Sequence, residues 1–157
     1  MQFRVAWHAR IGYQPIMIEV VSRQRRKKMD CERWQVFSEK ALKAIGKSGH
    51  EVSIAFVSDN QIRVLNKTFR GLGKATDVLS FPAGEDLFTN ATPPRLGDIA
   101  ISVERAESQA LENGLAFEDE VAQLILHGLL HLCGYDHETD EGQMNLLELR
   151  LRKQLGI

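Results

Sequence analysis

The sequence predicts an α+β domain, a mixed sheet of about four strands packed against helices with one helix buried at its centre. Three observations carry that expectation. Strand-like alternation and helical periodicity take turns through the first two thirds of the chain, and helices accumulate afterwards. Gly, Asn and Asp clusters punctuate the segments where helices must end. One late segment, residues 121–133, is apolar on nearly every side, as a helix surrounded by protein must be. A chain of 157 residues fits one domain.

Residues 1–15 show no clear periodicity, and the first strand covers residues 17–21. Residues 1–16 are therefore read as an N-terminal extension and residues 17–157 as a single domain. Asp30 caps a helix running to Ile45, with Trp34, Phe37, Ala41, Leu42 and Ile45 as its apolar stripe. Residues 52–57 alternate as a second strand. Ser58, Asp59 and Asn60 supply caps for a short helix with Ile62, Leu65 and Phe69 inward. Its sequel, residues 70–74, is glycine-rich but wrongly spaced for a nucleotide-binding loop. Residues 76–81 read as a third strand stopped by Pro82, residues 84–94 as a loop, and residues 96–101 as a fourth strand. Ser102 caps the next helix, which ends near Asn113 and Gly114. Residues 117–120 open the buried helix with three acids, where the helix dipole favours them. Thr139 or Asp140 caps a last amphipathic helix reaching Leu155.

Hydrophobic content of 43% and charged content of 26% are those of a soluble globular protein. No apolar run approaches the ~20 residues of a membrane span, and no signal-peptide order is present. Cys31 and Cys133 make no disulfide framework, so a reducing cytoplasm is the expected setting. The net charge of −1 hides an asymmetry: residues 1–83 hold 15 Lys+Arg against 7 Asp+Glu, and residues 84–157 hold 5 against 14. Such separation allows a basic surface suited to a polyanion, although two solvated faces would look the same. The basic run at residues 23–28 carries the same ambiguity.

The chemistry concentrates in residues 127–137, which hold three of the five histidines. His127 and His131 are four apart, so a helix stacks both imidazoles on one face. Gly134 lies one turn on and suits the left-handed conformation that ends a helix and reverses the chain. The reversal can return His137 to the same face as a third metal ligand. Three imidazoles leave one tetrahedral position open, the pattern of a catalytic site rather than a closed structural one. Two histidines on a buried helix can also be satisfied by hydrogen bonds alone; the added glycine and third histidine favour the metal. The spacing H-x-x-x-H-x-x-G-x-x-H matches the metzincin proteases except at Gly128, where those enzymes carry the glutamate base. The motif thus argues for a metal and against proteolysis. Cys133 points to another helix face and is read as a small buried residue. His8 and His50 lie outside the motif and are read as surface residues.

Three blocks now stand in order: residues 65–70 leading into 76–82, residues 97–102, and residues 127–137. Over residues 17–155 they resemble the YbeY family of bacterial single-domain, metal-dependent endoribonucleases. The resemblance implies a zincin-like fold and a role in ribosomal RNA maturation, including the 3′ end of small-subunit rRNA, and in ribosome quality control. It implies His127, His131 and His137 as ligands of one metal, zinc being expected and nickel an alternative. It implies Arg70 as a functional arginine near that metal. Partners would be RNA, chiefly rRNA, together with the small ribosomal subunit and its assembly factors, without a membrane or a disulfide partner.

The expected chemistry is metal-assisted hydrolysis of an RNA phosphodiester, with water acidified toward a pKa of ~7. Arg70 would hold the phosphate through its planar fork, and Lys74 is a weaker candidate on the same loop. No general base stands out. Asp98, Asp136 and Glu138 are candidates, with Asp98 better read as serving its strand end or the surroundings of the site, and Asp136 as orienting a histidine. Two rivals remain: a non-catalytic ribosome-assembly factor with a structural metal, and another metal-dependent hydrolase such as a peptidase or amidohydrolase.

Overall fold

The computed structural model describes residues 17–84 and 93–157. The N-terminal extension, His8 and most of the loop expected at residues 84–94 lie outside the described residues.

Four strands form one sheet in the order β1-β2-β4-β3. Strands β1 (Ile18–Ser22), β2 (Glu51–Val57) and β4 (Arg95–Ser102) run parallel, and β3 (Val78–Pro82) is an antiparallel edge beside β4. The mixed sheet is thus as expected. Parallel neighbours need crossovers, which α1 (Cys31–Ile45) and α2 (Asp59–Arg70) supply. Then α3 (Val103–Asn113), α4 (Phe117–Leu132) and α5 (Gln143–Leu155) follow β4.

Side chains alternate across the sheet, and the two faces meet different helices. Ile54, Phe56, Ile99 and Ile101, all fully buried, join α1, α4 and α5 in the main core. Ala55, Val57 and Ala100 point the other way, onto Ile62 and Leu65 of α2. The central helix α4 buries Val121, Leu124, Ile125, Leu126, Leu129 and Leu130, so its all-round apolar sequence does mark the middle of the protein.

Two details differ from the sequence reading. Phe69 is 45% exposed rather than inward; at the last turn of α2 it leans edge-on against Phe81, with ring centroids 5.3 Å apart. Pro82 closes β3 instead of following it, which an edge strand tolerates because one side of its ladder is unpaired. Gly97 pairs with Pro82 at φ 145°, and a Cβ there would stand 2.2 Å from the Phe81 carbonyl oxygen. No other residue fits that approach.

Candidate metal centre

The site begins where α4 stops. Cys133 caps the helix, Gly134 follows at φ 93°, and two hydrogen bonds close the end. The Gly134 N–H donates to the His131 carbonyl at 3.0 Å, and the Tyr135 N–H to the Leu130 carbonyl at 3.2 Å. This is a Schellman turn, and it sends the chain back over the helix. The returning segment is held at both ends by carboxylates. Asp136 accepts the Glu138 N–H at 3.0 Å, and Asp140 accepts the N–H groups of Gly142 and Met144 at 2.8 Å each. The cap expected at Thr139 or Asp140 falls instead on Gly142; Asp140 ties the first turn of α5 from two residues before that position.

The reversal brings His137 onto the face that carries His127 and His131. Ring centroids are 4.6 Å apart for His127 and His131, 4.8 Å for His127 and His137, and 5.5 Å for His131 and His137. One ligand nitrogen from each ring lies within 4.8 Å of the other two. A tetrahedral centre with bonds of about 2.0–2.1 Å spaces its donors by about 3.3 Å; the His127–His131 edge, at 3.0 Å, is near that size, and the triangle as a whole is wider.

The donor chemistry also fits. Nδ1 of His127 lies 3.1 Å from Oε2 of Glu148, a carboxylate on α5 that is 4% exposed. Burial alone would push the Glu148 pKa up; hydrogen bonds from His127 and Arg152, and their charges, outweigh it and hold the carboxyl below its usual range. An ionised carboxylate only accepts, so His127 carries its proton on Nδ1. Its Nε2 lone pair then faces Nε2 of His131 at 3.0 Å. Burial, and then the neighbouring His127 and His137, lower the His131 pKa. A neutral imidazole with a lone pair aimed inward is what a metal ligand requires.

Glu148 and Arg152 were not singled out in the sequence. Their i,i+4 spacing reads as an ordinary surface ion pair; only packing of α5 against α4 buries the carboxylate. Asp136, expected to orient a histidine, spends its side chain on the turn instead. Asp98 pairs with Arg95 and lies in the strand position after Gly97 and before Ile99. Since Ile99 faces Gly128 of α4, alternation directs Asp98 to the opposite face of the sheet, which supports the strand-end reading. His50 bonds the Lys47 carbonyl in a surface turn, away from the cluster. Cys133 is half-buried, and burial pushes its thiol pKa up.

Gly128 has a steric reason beyond the absent base. A Cβ there would meet Ile99 at 3.0 and 3.1 Å and the Ser80 hydroxyl at 3.3 Å. That hydroxyl donates to the Gly128 carbonyl at 3.2 Å, fixing the metal helix against the edge strand. Arg70 stands apart from the histidines, as the exposed last residue of α2 on the other sheet face. It makes no hydrogen bond or ion pair among the described residues. Its neighbour Phe69 touches Phe81 on β3, beside the Gly97 position where Leu132 of α4 also packs. The C-terminal ends of α2 and α4 therefore reach the same level of the edge strand from opposite sides.

A family profile described as Endoribonuclease YbeY matches residues 19–156. The chain belongs to the YbeY endoribonuclease family. YbeY membership makes it a nuclease that acts on RNA. An endoribonuclease YbeY from Aquifex aeolicus is 44% identical over 76% of this chain and 77% of its own length. One from Koribacter versatilis is 46% identical over 78% and 75%. One from Caldanaerobacter subterraneus is 39% identical over 89% and 99%. A solution structure from Thermotoga maritima superposes with a TM-score of 0.60 at 28% identity, covering 88% of this chain and 89% of that one.

Proposed function

We propose that this YbeY-family endoribonuclease works through one metal held by His127, His131 and His137, with Arg70 orienting the scissile phosphate. The YbeY family is involved in rRNA processing. In this reading the substrate is single-stranded rRNA, including the 3′ end of the small-subunit rRNA. The reading extends to ribosome quality control, with the small subunit and its assembly factors as partners and the cytoplasm as its location. Residues 17–157 are the catalytic domain and residues 1–16 an extension. No described helix is long and apolar enough to cross a membrane.

The observation that carries the reading is the convergence of three imidazoles, one of them fixed by buried Glu148 with its Nε2 turned inward. Zinc is the expected metal, with nickel the alternative. A metal held there supplies Lewis acidity, which polarises a phosphoryl oxygen and acidifies water. The chain's own contribution is to disfavour the charged form of His131, to hold the His127 ring against Glu148, and to offer a bidentate cation where negative charge develops.

Elemental analysis tests the site: one metal per chain in the wild type, and loss from His127→Ala, His131→Ala and His137→Ala. Cleavage of single-stranded RNA should stop with chelator and return with zinc. Full metal content in all three variants would overturn the three-histidine assignment, and cleavage indifferent to chelation would overturn the metal's part in the reaction. No RNA cleavage by the metal-loaded protein would leave the alternative of a non-catalytic assembly factor with a structural metal. Arg70→Ala should keep its metal and, being exposed, change stability within about ±0.5 kcal/mol, while losing cleavage on the order of 100-fold. Arg70→Lys should recover part of it, since an ammonium keeps the charge but not the fork. Wild-type cleavage by Arg70→Ala at matched metal content would make this a plain surface arginine.

A further inference from the structure

We infer that one flank of α2 is the track along which the RNA backbone approaches the metal centre, with Arg63 and Lys67 as its phosphate contacts and Phe69 as a base-stacking platform. This rests on the reading of the protein as a single-strand endoribonuclease and adds a binding surface to it.

The argument starts from helix geometry. At 3.6 residues per turn, Arg63, Lys67 and Arg70 fall within about 60° of one another on the outside of α2. All three are exposed. None has an acidic partner among the described residues. Three acids on this side of the sheet are engaged elsewhere. Asp98 pairs with Arg95. Asp59 pairs with Arg105 at 3.4 Å and accepts the Ser102 hydroxyl at 2.6 Å. Asp77 accepts the Val78 N–H at 2.8 Å and Gln109 at 3.2 Å. By contrast, the basic run at residues 23–28 is partly neutralised, since Arg26 and Lys27 both pair with Glu107.

Two hydrogen bonds orient the helix. Gln61 reaches the Arg23 carbonyl at 3.1 Å, on the side of β1. Asn66 donates to the Lys74 carbonyl at 2.9 Å, in the loop that leads into β3. The cationic flank lies on the Asn66 side of the buried stripe, so it overlooks the edge strand, and the metal helix packs along that strand's other side. Phe69 precedes Arg70 on the sheet-facing side of the last turn, about 100° around the helix from it, nearly half exposed beside Phe81. Cations that track a backbone combined with an exposed aromatic are how proteins hold single strands.

Salt dependence separates this surface from a merely solvated face. Binding of a fluorescent, non-cleavable single-stranded oligoribonucleotide to the metal-loaded protein is followed by anisotropy across a salt series. Each lost phosphate contact lowers the slope of log K against log salt by about 0.7. Arg63→Gln with Lys67→Gln should therefore lower it by about 1.4. A control pair, Arg25→Gln with Lys28→Gln, removes the same charge from the basic run and should leave the slope unchanged. Phe69→Leu keeps an apolar side chain against Phe81; it should weaken binding about tenfold with the slope intact. Equal slopes for the two double variants, with wild-type affinity for Phe69→Leu, would overturn the track while leaving the endoribonuclease reading standing. A wild-type protein that binds no single-stranded RNA would overturn both.

Discussion

Glu148 shows how much one buried residue decides. It is held against His127 on one oxygen and Arg152 on the other, and it selects the histidine tautomer that turns Nε2 inward. Glu148→Ala should weaken zinc binding 10–100-fold, the usual consequence of losing a carboxylate behind a ligand histidine. Competition with a chromogenic chelator measures this, and unchanged affinity would reduce Glu148 to a packing residue. Gly128 decides by being small. Gly128→Glu restores the protease spacing but crowds its Cβ against Ile99 and the Ser80 hydroxyl and brings a charge among apolar neighbours. The variant should lose about 3 kcal/mol or more in denaturant unfolding and should not hydrolyse peptides. A stable variant that cleaves peptides would mean that only the base separates this fold from a protease.

At the scale of elements, the site is a helix end rather than a helix. Two of the converging imidazoles come from α4, and the third arrives only because Gly134 reverses the chain. At φ 93°, with nothing within 4 Å of a would-be Cβ, Gly134→Ala pays a purely conformational cost of about 1–2 kcal/mol. It should also weaken metal binding, because relief of that strain moves His137. Denaturant midpoint and zinc affinity should fall together; a fall in stability alone would detach the Schellman turn from the site. Gly97 plays the matching part in the sheet, letting the edge strand lie close to β4 beneath the metal helix.

For the whole molecule, a metal joining α4 to the segment that leads into α5 should couple binding to folding. At 100 times its Kd, a ligand specific for the folded state adds about 2.7 kcal/mol. For a chain of this size that raises Tm by roughly 5–10 °C. The effect should vanish in His137→Ala, and an unchanged wild-type Tm would refute the coupling. The pH dependence has a definite sign. In the metal-free protein His131 titrates below its ordinary 6.5, so the unfolded chain binds the extra proton first and stability declines as pH falls below that value. Glu148 titrates below its ordinary 4.5; its stabilisation is present above that pH and is lost on further acidification. Both act in the same direction. Glu120, whose pKa burial raises, acts oppositely, so the test is made in Glu120→Gln, where chemical denaturation from pH 7.5 to 4 should show a steady loss. Stability of that variant that rises on acidification would contradict both assignments.

The sequence by itself determined the alternating and accumulating elements, the buried central helix and the three histidines. Those features are local: periodicity, caps and an i,i+4 spacing followed by a helix-ending glycine are all written within a dozen residues. Phe69 misled because its helical position is inward but the helix ends there, at the margin of the sheet. What only the tertiary structure decided involves pairs far apart in the chain. Glu148 meets His127 across 21 positions, and Ser80 meets Gly128 across 48. The ends of α2 and α4 meet the edge strand from opposite faces. A single sequence carries the propensity of each residue but not which distant surface will exclude water from it. Burial turned the Glu148 side chain from an ordinary helix-surface charge into the group that orients His127.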